Sequence, residues 1–192
     1  IGAGPGGLMA AERLGKQGHK VTIYDHKPNP ARKFLMAGRG GLNITHSEPL
    51  DVFLDRYGES RPRLEPSIRA FTPDDMRAWC ARLGEDTFIG TSGRVFPKSF
   101  KASPLLRSWI ARLDTYGVTF KPHHHWAGWT KDNRLIFNSP EGEITVTADA
   151  TILALGGASW PKLGSSGDWT NLLEQRGITI SPFRPANCGF KV

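Results

Sequence analysis

The stretch Gly2-Ala3-Gly4-Pro5-Gly6-Gly7 constrains the fold more than any other, because it satisfies the spacing G-x-G-x-x-G. Each glycine has a physical task in such a turn. Gly2 permits a tight exit from a strand, Gly4 bares the backbone to a pyrophosphate, and Gly7 lets the following helix pack closely on the sheet. That helix is expected over Pro5–Lys16, with Leu8, Ala11 and Leu14 on one face and Gly18 beyond its end. Its N-terminus, at Pro5 and Gly6, offers unpaired N–H groups and a partial positive charge to phosphates.

The β-branched and aromatic run Val21-Thr22-Ile23-Tyr24 then ends on Asp25. An acid about 20 residues beyond the glycines, at the tip of a second strand, is placed to accept hydrogen bonds from an adenosine ribose. It disfavours a 2′-phosphate, so FAD or NAD is expected here in preference to NADP.

Downstream, residues 26–46 read as a long Pro- and Gly-rich connection that packs Phe34, Leu35 and Leu42 and therefore serves function. Two helices follow. Thr72-Pro73-Asp74-Asp75 supplies an N-cap, a proline at the first helical position and a capping-box acid. Ser103-Pro104 opens the other, with Leu106, Trp109, Ile110 and Leu113 on one face. Four short strands are expected between Val118 and Asp149, as a small antiparallel β-meander inserted at about 118–149 into the α/β frame. A buried strand over Thr151–Leu155 then enters Gly156-Gly157, a turn at a strand's C-terminal end, where ligands of open α/β sheets gather. Asp168 is expected to cap a last short helix running to Arg176.

Other signals are negative. With 192 residues, 39% hydrophobic and 22% charged, the chain can bury one domain's core, and no apolar run reaches membrane-spanning length. The two cysteines, Cys80 and Cys188, are far apart and match no metal or redox spacing, so a reducing cytoplasm is expected, with Cys80 a small core residue. The net charge of +7 is dispersed without a basic run, which favours a small-molecule substrate over nucleic acid as partner. His123-His124-His125 invites a metal, but neighbours on a strand alternate faces, so no metal site is expected. Ile1 stands where a first strand should end, and Cys188–Val192 resembles the opening of another. The expectation is an internal fragment cut at both ends.

Several further segments carry a family resemblance across most of the chain: Ala31–Leu35, the Gly38–Asn43 loop with Thr45, Gly93–Ser99 with Lys101-Ala102, and Ala154–Lys162 followed by Gly164–Asp168. With the glycine loop, the sequence resembles the bacterial aminoacetone oxidase-like FAD-binding enzymes, also described as NAD(P)/FAD-dependent oxidoreductases. Where that family reads S-G-G-G-R-C-N, this chain has Ala37-Gly38-Arg39-Gly40-Gly41-Leu42-Asn43, which marks a divergent subgroup.

The resemblance implies a Rossmann-like FAD-binding domain of glutathione reductase-like βαβ type over residues 1–192, lacking a substrate domain and a C-terminal flavin segment. It implies FAD as cofactor, with NAD(P)H a possible electron donor, and places Lys33 and Asn43 near the cofactor; by their charge, Arg32 and Lys33 also suit a position beside a pyrophosphate. Such a fragment by itself is expected to bind FAD poorly and not to turn over. The rival expectations are a flavoprotein acting in tRNA modification and a module that holds a nucleotide without catalysis.

Overall fold

The computed structural model describes residues 1–184, so the expectations about Cys188, about the strand opening at 188–192 and about the end of the chain lie outside the described residues. In chain order the elements begin with α1 (Pro5–Lys16), β1 (Thr22–Tyr24), α2 (Arg32–Ala37) and β2 (Thr45–His46). Next come α3 (Leu50–Asp55), α4 (Arg61–Ala70), α5 (Pro73–Arg82), β3 (Thr87–Ile89) and β4 (Arg94–Pro97). The rest are α6 (Ala102–Thr115), β5 (Thr119–Lys121), β6 (His125–Trp129), β7 (Leu135–Ser139), β8 (Gly142–Val146) and α7 (Trp169–Glu174). They form two compact units: Ile1–Lys33 with the chain from Leu113 onward, and Phe34–Arg112.

In the first unit a parallel sheet supports the glycine turn. Strand β1 pairs in parallel with β5, Ile23 opposite Phe120. On the other side of β1, Gly2 N donates to Tyr24 O at 2.8 Å. Ile1 in turn pairs with residues 152–154: its N donates to Ile152 O at 2.7 Å, and Ala154 N donates to Ile1 O at 2.8 Å. The spatial order is thus 152–154, Ile1-Gly2, β1, β5. The expected strand over Thr151–Leu155 is therefore an extended segment paired with Ile1 and is only half-buried. Ile152 is exposed, Leu153 and Leu155 pack toward the meander, and Ala154 faces the glycine turn.

Helix α1 spans the expected residues and buries Leu8, Ala11, Glu12 and Gly15. A Cβ at Gly15 would lie 3.0 Å from Tyr116 Cβ and 3.2 Å from Val118 Cγ2, so the helix lies directly against the entry to β5.

The meander is shorter than its sequence suggested. Thr119–Lys121 belongs to the parallel sheet, and the antiparallel sheet consists of β6, β7 and β8 in that order. Alternation on β5 cannot reveal its partner, because parallel and antiparallel pairing present the same period. Trp126, Leu135 and Phe137 form the meander's buried face, over which Ile1, Tyr24, Leu153 and Leu172 pack. Tyr24 stacks on Phe137 with centroids 4.3 Å apart. Arg176 ties the end of α7 to the meander, donating to Asn133 Oδ1 and Thr130 O and lying 5.1 Å over the Trp129 ring. Asp168 precedes α7, but its side chain makes no capping bond and its backbone is already helical.

The second unit holds the antiparallel sheet β2-β4-β3 and helices α3–α5. Helix α5 starts as its sequence demands. Thr72 Oγ1 accepts from Asp75 N, and Asp75 Oδ2 accepts from Thr72 N at 2.9 Å. Cys80 lies on this helix fully buried, and burial pushes its thiol up to about 11. Helices α3 and α4 add to the expected elements: α3 turns Leu50, Phe53 and the fully buried Leu54 inward, whereas α4 buries no residue. Surface ion pairs link the two, with Arg61 paired to Asp55 and Glu65, and Arg69 bridging Glu65 and Asp51. These hydrogen bonds bring the Glu65 carboxyl down to about 2. The connection at 26–46 is likewise less irregular than its glycines imply, since it contains α2 and β2.

Candidate functional site

A cleft of about 700 Å³ opens in the first unit at the C-terminal ends of the parallel strands. The glycine turn forms one wall. Gly2 has φ +100°, and a Cβ there would sit 2.4 Å from Ala154 O. A Cβ on Gly7 would sit 1.9 Å from Gly2 O. Both positions are closed by neighbouring backbone. Gly4 and Gly6 differ, for a Cβ on either meets nothing within 4 Å. The turn thus leaves free space in front of Gly4, at the start of α1, and Pro5 and Gly6 line that space.

Asp25 stands across from it. Its Oδ2 accepts from Ala3 N at 2.6 Å and its Oδ1 from Lys27 N at 2.7 Å. Each carboxylate oxygen has a lone pair left for a further donor. The chain next folds back over the turn, Ala31 N donating to Ala3 O at 2.8 Å with Ala31 in the left-handed region at φ +54°. A non-glycine residue held there marks local strain, which concentrates at binding sites.

Helix α2 then presents Arg32 and Lys33 to the cleft. Lys33 Nζ donates to Ser159 Oγ at 3.3 Å, whereas Arg32 Nε is buried and has no acceptor. Gly156 lines the cleft at φ +74°. Gly157 is not among the lining residues and faces Phe183 instead, 3.9 Å from where its Cβ would be. Asn43 belongs to the second unit, where its Nδ2 donates to Thr45 O and Val95 O and braces β2 against β4.

Other lining residues gave no signal in the sequence. His124 N donates to Asp25 O at 2.9 Å, so the start of the meander is pinned to the acid. His124, His125 and Trp126 line the cleft, as do Ser165 and Trp169. His125 meets His26 edge-on with ring centroids 5.9 Å apart. Burial lowers the His26 pKa, against the opposing pull of Asp25 and with help from Lys27 and His125. Gly164, at φ +98°, crosses directly over His26, whose Nε2 would lie 2.7 Å from a Cβ there. Among the described residues, no group of three or more His, Cys, Asp or Glu is arranged to hold a metal ion, and no helix is long and apolar enough to cross a membrane.

Comparison with known proteins gives the family and the fold. Residues 1–189 match the HI0933-like protein Rossmann domain. The chain is 28% identical over 185 residues to the ribosomal RNA dihydrouridine synthase of Escherichia coli, covering 96% of the chain and 45% of that protein. It is 27% identical over 194 residues to the 3-dehydro-bile acid delta(4,6)-reductase of Clostridium scindens, covering all of the chain and 46% of that protein. The chain therefore spans just under half the length of these curated relatives.

Two solved structures share the fold. The 3-ketosteroid-delta4-(5alpha)-dehydrogenase of Rhodococcus jostii aligns with a TM-score of 0.58 at 14% identity, over 81% of this chain and 44% of that one. Thermovibrio ammonificans THI4 aligns with a TM-score of 0.56 at 15% identity, over 93% and 61%. The fold class is that of Rossmann-like FAD-binding domains, α/β with a parallel sheet and an antiparallel meander. By its match over residues 1–189, this chain belongs to the HI0933-like Rossmann-domain family.

Proposed function

We propose that this chain is the FAD-holding part of an FAD-dependent oxidoreductase. The observation that carries the reading is the open space before Gly4 at the start of α1, in a cleft that Asp25 and Arg32 also line. A pyrophosphate fits that space. It can approach the glycine backbone and the start of α1, beside the positive charge of Arg32. Asp25 would take the ribose hydroxyls, with Lys33 and Gly156 along the same wall. When bound, FAD supplies a two-electron carrier that can give or accept a hydride.

The chain's own groups bind and orient; no acid or base for the reaction is assigned among them. The narrower likeness to aminoacetone oxidase-like enzymes, NAD(P)H as donor and a cytoplasmic setting are parts of the same proposal.

The names of the relatives suggest a reaction. Dihydrouridine is uridine with its C5–C6 double bond saturated, and a delta(4,6)-reductase of a 3-oxo steroid saturates double bonds conjugated to a carbonyl. We infer reduction of a C=C bond conjugated to a carbonyl. A small-molecule enone is the first reading. Uridine in RNA is the second, favoured by the two ribosomal RNA dihydrouridine synthases at 28% identity.

The test is the visible spectrum of the full-length protein. Purified protein should be yellow and should bleach with NADH or NADPH. Recovery of colour on adding an enone steroid or uridine-containing RNA, without oxygen, identifies the substrate class. Colourless protein that takes up no added FAD overturns the flavin reading.

A further inference from the structure

Strand β4 of the second unit alternates along its length. Val95 and Pro97 are buried, whereas Arg94 is exposed and Phe96 half-buried on the opposite side. Phe88 of β3 lies directly across from Phe96 and stacks on it, with ring centroids 5.8 Å apart. Phe100 completes the group. Its ring centroid is 5.3 Å from each of the other two, its plane is within 10° of that of Phe96, and the residue is 47% exposed.

Hydrogen bonds close the turn that carries Phe100. Phe100 N donates to Pro97 O at 3.0 Å, Lys98 N to Asp86 O at 2.8 Å and Ser99 N to Glu85 Oε1 at 3.1 Å. They hold Phe100 in the left-handed region at φ +58°, where a bulky side chain is an outlier and Asn or Gly would fit. Packing alone does not account for a ring there, since nearly half of the residue meets solvent; strain of this kind concentrates at binding sites. The neighbouring loop makes room for the ring, for a Cβ on Gly41 would stand 2.8 Å from Phe100 Cδ1.

Cations border these rings. Lys98 Nζ is engaged by Asp86 Oδ2 at 2.9 Å, but Arg94 and Lys101 are exposed and form no ion pair among the described residues. Arg94 shares the Phe96 side of β4, and Lys101 directly follows Phe100. A single nucleic-acid strand matches both features, its bases offering π faces and its phosphates negative charge. A steroid or an apolar protein segment would cover the rings and bring the cations no counter-charge.

We propose that Phe88, Phe96 and Phe100 form a stacking platform for a base of single-stranded RNA, with Arg94 and Lys101 on the flanking phosphates. The choice of RNA rests on the uridine reading above.

The test uses full-length protein and a fluorescein-labelled oligouridylate of about 12 nucleotides, read by anisotropy at several salt concentrations. Phe100→Asn suits the backbone of the turn and should melt within a few degrees of wild type. It should bind about tenfold more weakly or worse, the loss of one base stack. Phe100→Trp keeps a π face and should bind like wild type. Arg94→Gln should weaken binding and flatten the slope of log affinity against log salt by about 0.7.

Unchanged affinity in Phe100→Asn overturns the inference, as does an equal loss in Phe100→Asn and Phe100→Trp. Wild-type protein that leaves the oligonucleotide free overturns it too. So does a wild-type dimer that Phe100→Asn dissociates without change in oligonucleotide affinity, because the face would then belong to a second copy. If Phe100→Asn fails to fold, crosslinking of wild-type protein to a 4-thiouridine oligonucleotide decides, and crosslinks that all fall outside residues 88–101 sink the platform. RNA that binds through Phe100 yet restores no colour to the reduced flavin sinks the uridine reading and leaves the platform standing. RNA that restores colour with the same KM in wild type and Phe100→Asn sinks the platform and leaves that reading.

Discussion

Asp25 Oδ2 lies 2.6 Å from Ala3 N, so the acid at the tip of β1 holds the glycine turn it faces as well as the space in front of it. Hydrogen bonds to a charged acceptor contribute about 1.5–3 kcal/mol. Asp25→Ala should destabilise the protein by roughly that amount and weaken FAD binding together with it. Asp25→Asn, which keeps one acceptor oxygen for Lys27 N or Ala3 N, should lose about half as much. Urea unfolding of both variants, alongside flavin titration, checks the ranking. Loss of flavin without loss of stability would separate the two roles.

Gly7 and Gly4 should respond oppositely to substitution. A Cβ on Gly7 would stand 1.9 Å from Gly2 O, an overlap that backbone must move to relieve. Overpacking of this kind costs about 1–3 kcal/mol, so Gly7→Ala should fold poorly. A Cβ on Gly4 meets nothing within 4 Å in the protein, so Gly4→Val should melt within a few degrees of wild type. It should nonetheless purify colourless as full-length protein, because its side chain occupies the ligand's approach. Retained flavin absorption in Gly4→Val would count against the site.

Protonating His26 should destabilise the fold. Its folded-state pKa lies below the ordinary 6.5, chiefly because burial disfavours the imidazolium. The unfolded chain therefore binds the proton first as pH drops. Stability is at its full value above pH 6.5 and declines as pH falls toward the lowered value. His26→Gln should show a shallower decline between pH 7 and 5 in parallel urea titrations. An equal decline in both would place the effect elsewhere.

Cys80 should be inert in the folded protein. It is fully buried, with its thiol pushed up to about 11, so almost no thiolate exists at neutral pH. A thiol reagent at pH 8 should leave Cys80 unlabelled in native protein and label it fully in denaturant, as read by peptide mass spectrometry. Labelling in the native state would mean that α5 opens.

Thr72→Ala removes the hydroxyl that accepts from Asp75 N and with it half of the capping box. A loss of about 1 kcal/mol is expected, seen as a few degrees in thermal melting. Thr72→Ser should recover most of it.

The segments that could be read without a structure are those whose geometry is set by near neighbours. Helix α1 opens at Pro5 and closes before Gly18 because capping and propensity act within a turn of chain. The same holds for α5, where Thr72 and Asp75 are three residues apart. Helices α3 and α4 are harder to read: α3 is only six residues long, so Leu50, Phe53 and Leu54 make a single turn of apolar periodicity, and α4 is tied to it by ion pairs such as Arg69 with Asp51, 18 residues apart. The cap expected of Asp168 failed for a related reason: the residue type suits a cap, but its backbone is already helical there.

The glycine turn and its acid were legible because their chemistry demands both residue types at a fixed separation, and Ala3 and Asp25 are only 22 positions apart. The rest of the cleft was not. Pairing of Ile1 with residues 152–154, of His124 with Asp25 and of Lys33 with Ser159 joins segments about 100 to 150 residues apart. Likewise, residues 119–121 read as a strand from their pattern, but only packing decided that they pair with β1 rather than with the meander. Local hydrogen bonding and backbone sterics belong to a stretch of sequence, and so the sequence alone determined where α1 begins and which loop turns tightly into it. Strand partners, and the meeting of Arg32, Trp126 and Trp169 around one cleft, depend on which buried faces find each other, and that was settled by the tertiary structure.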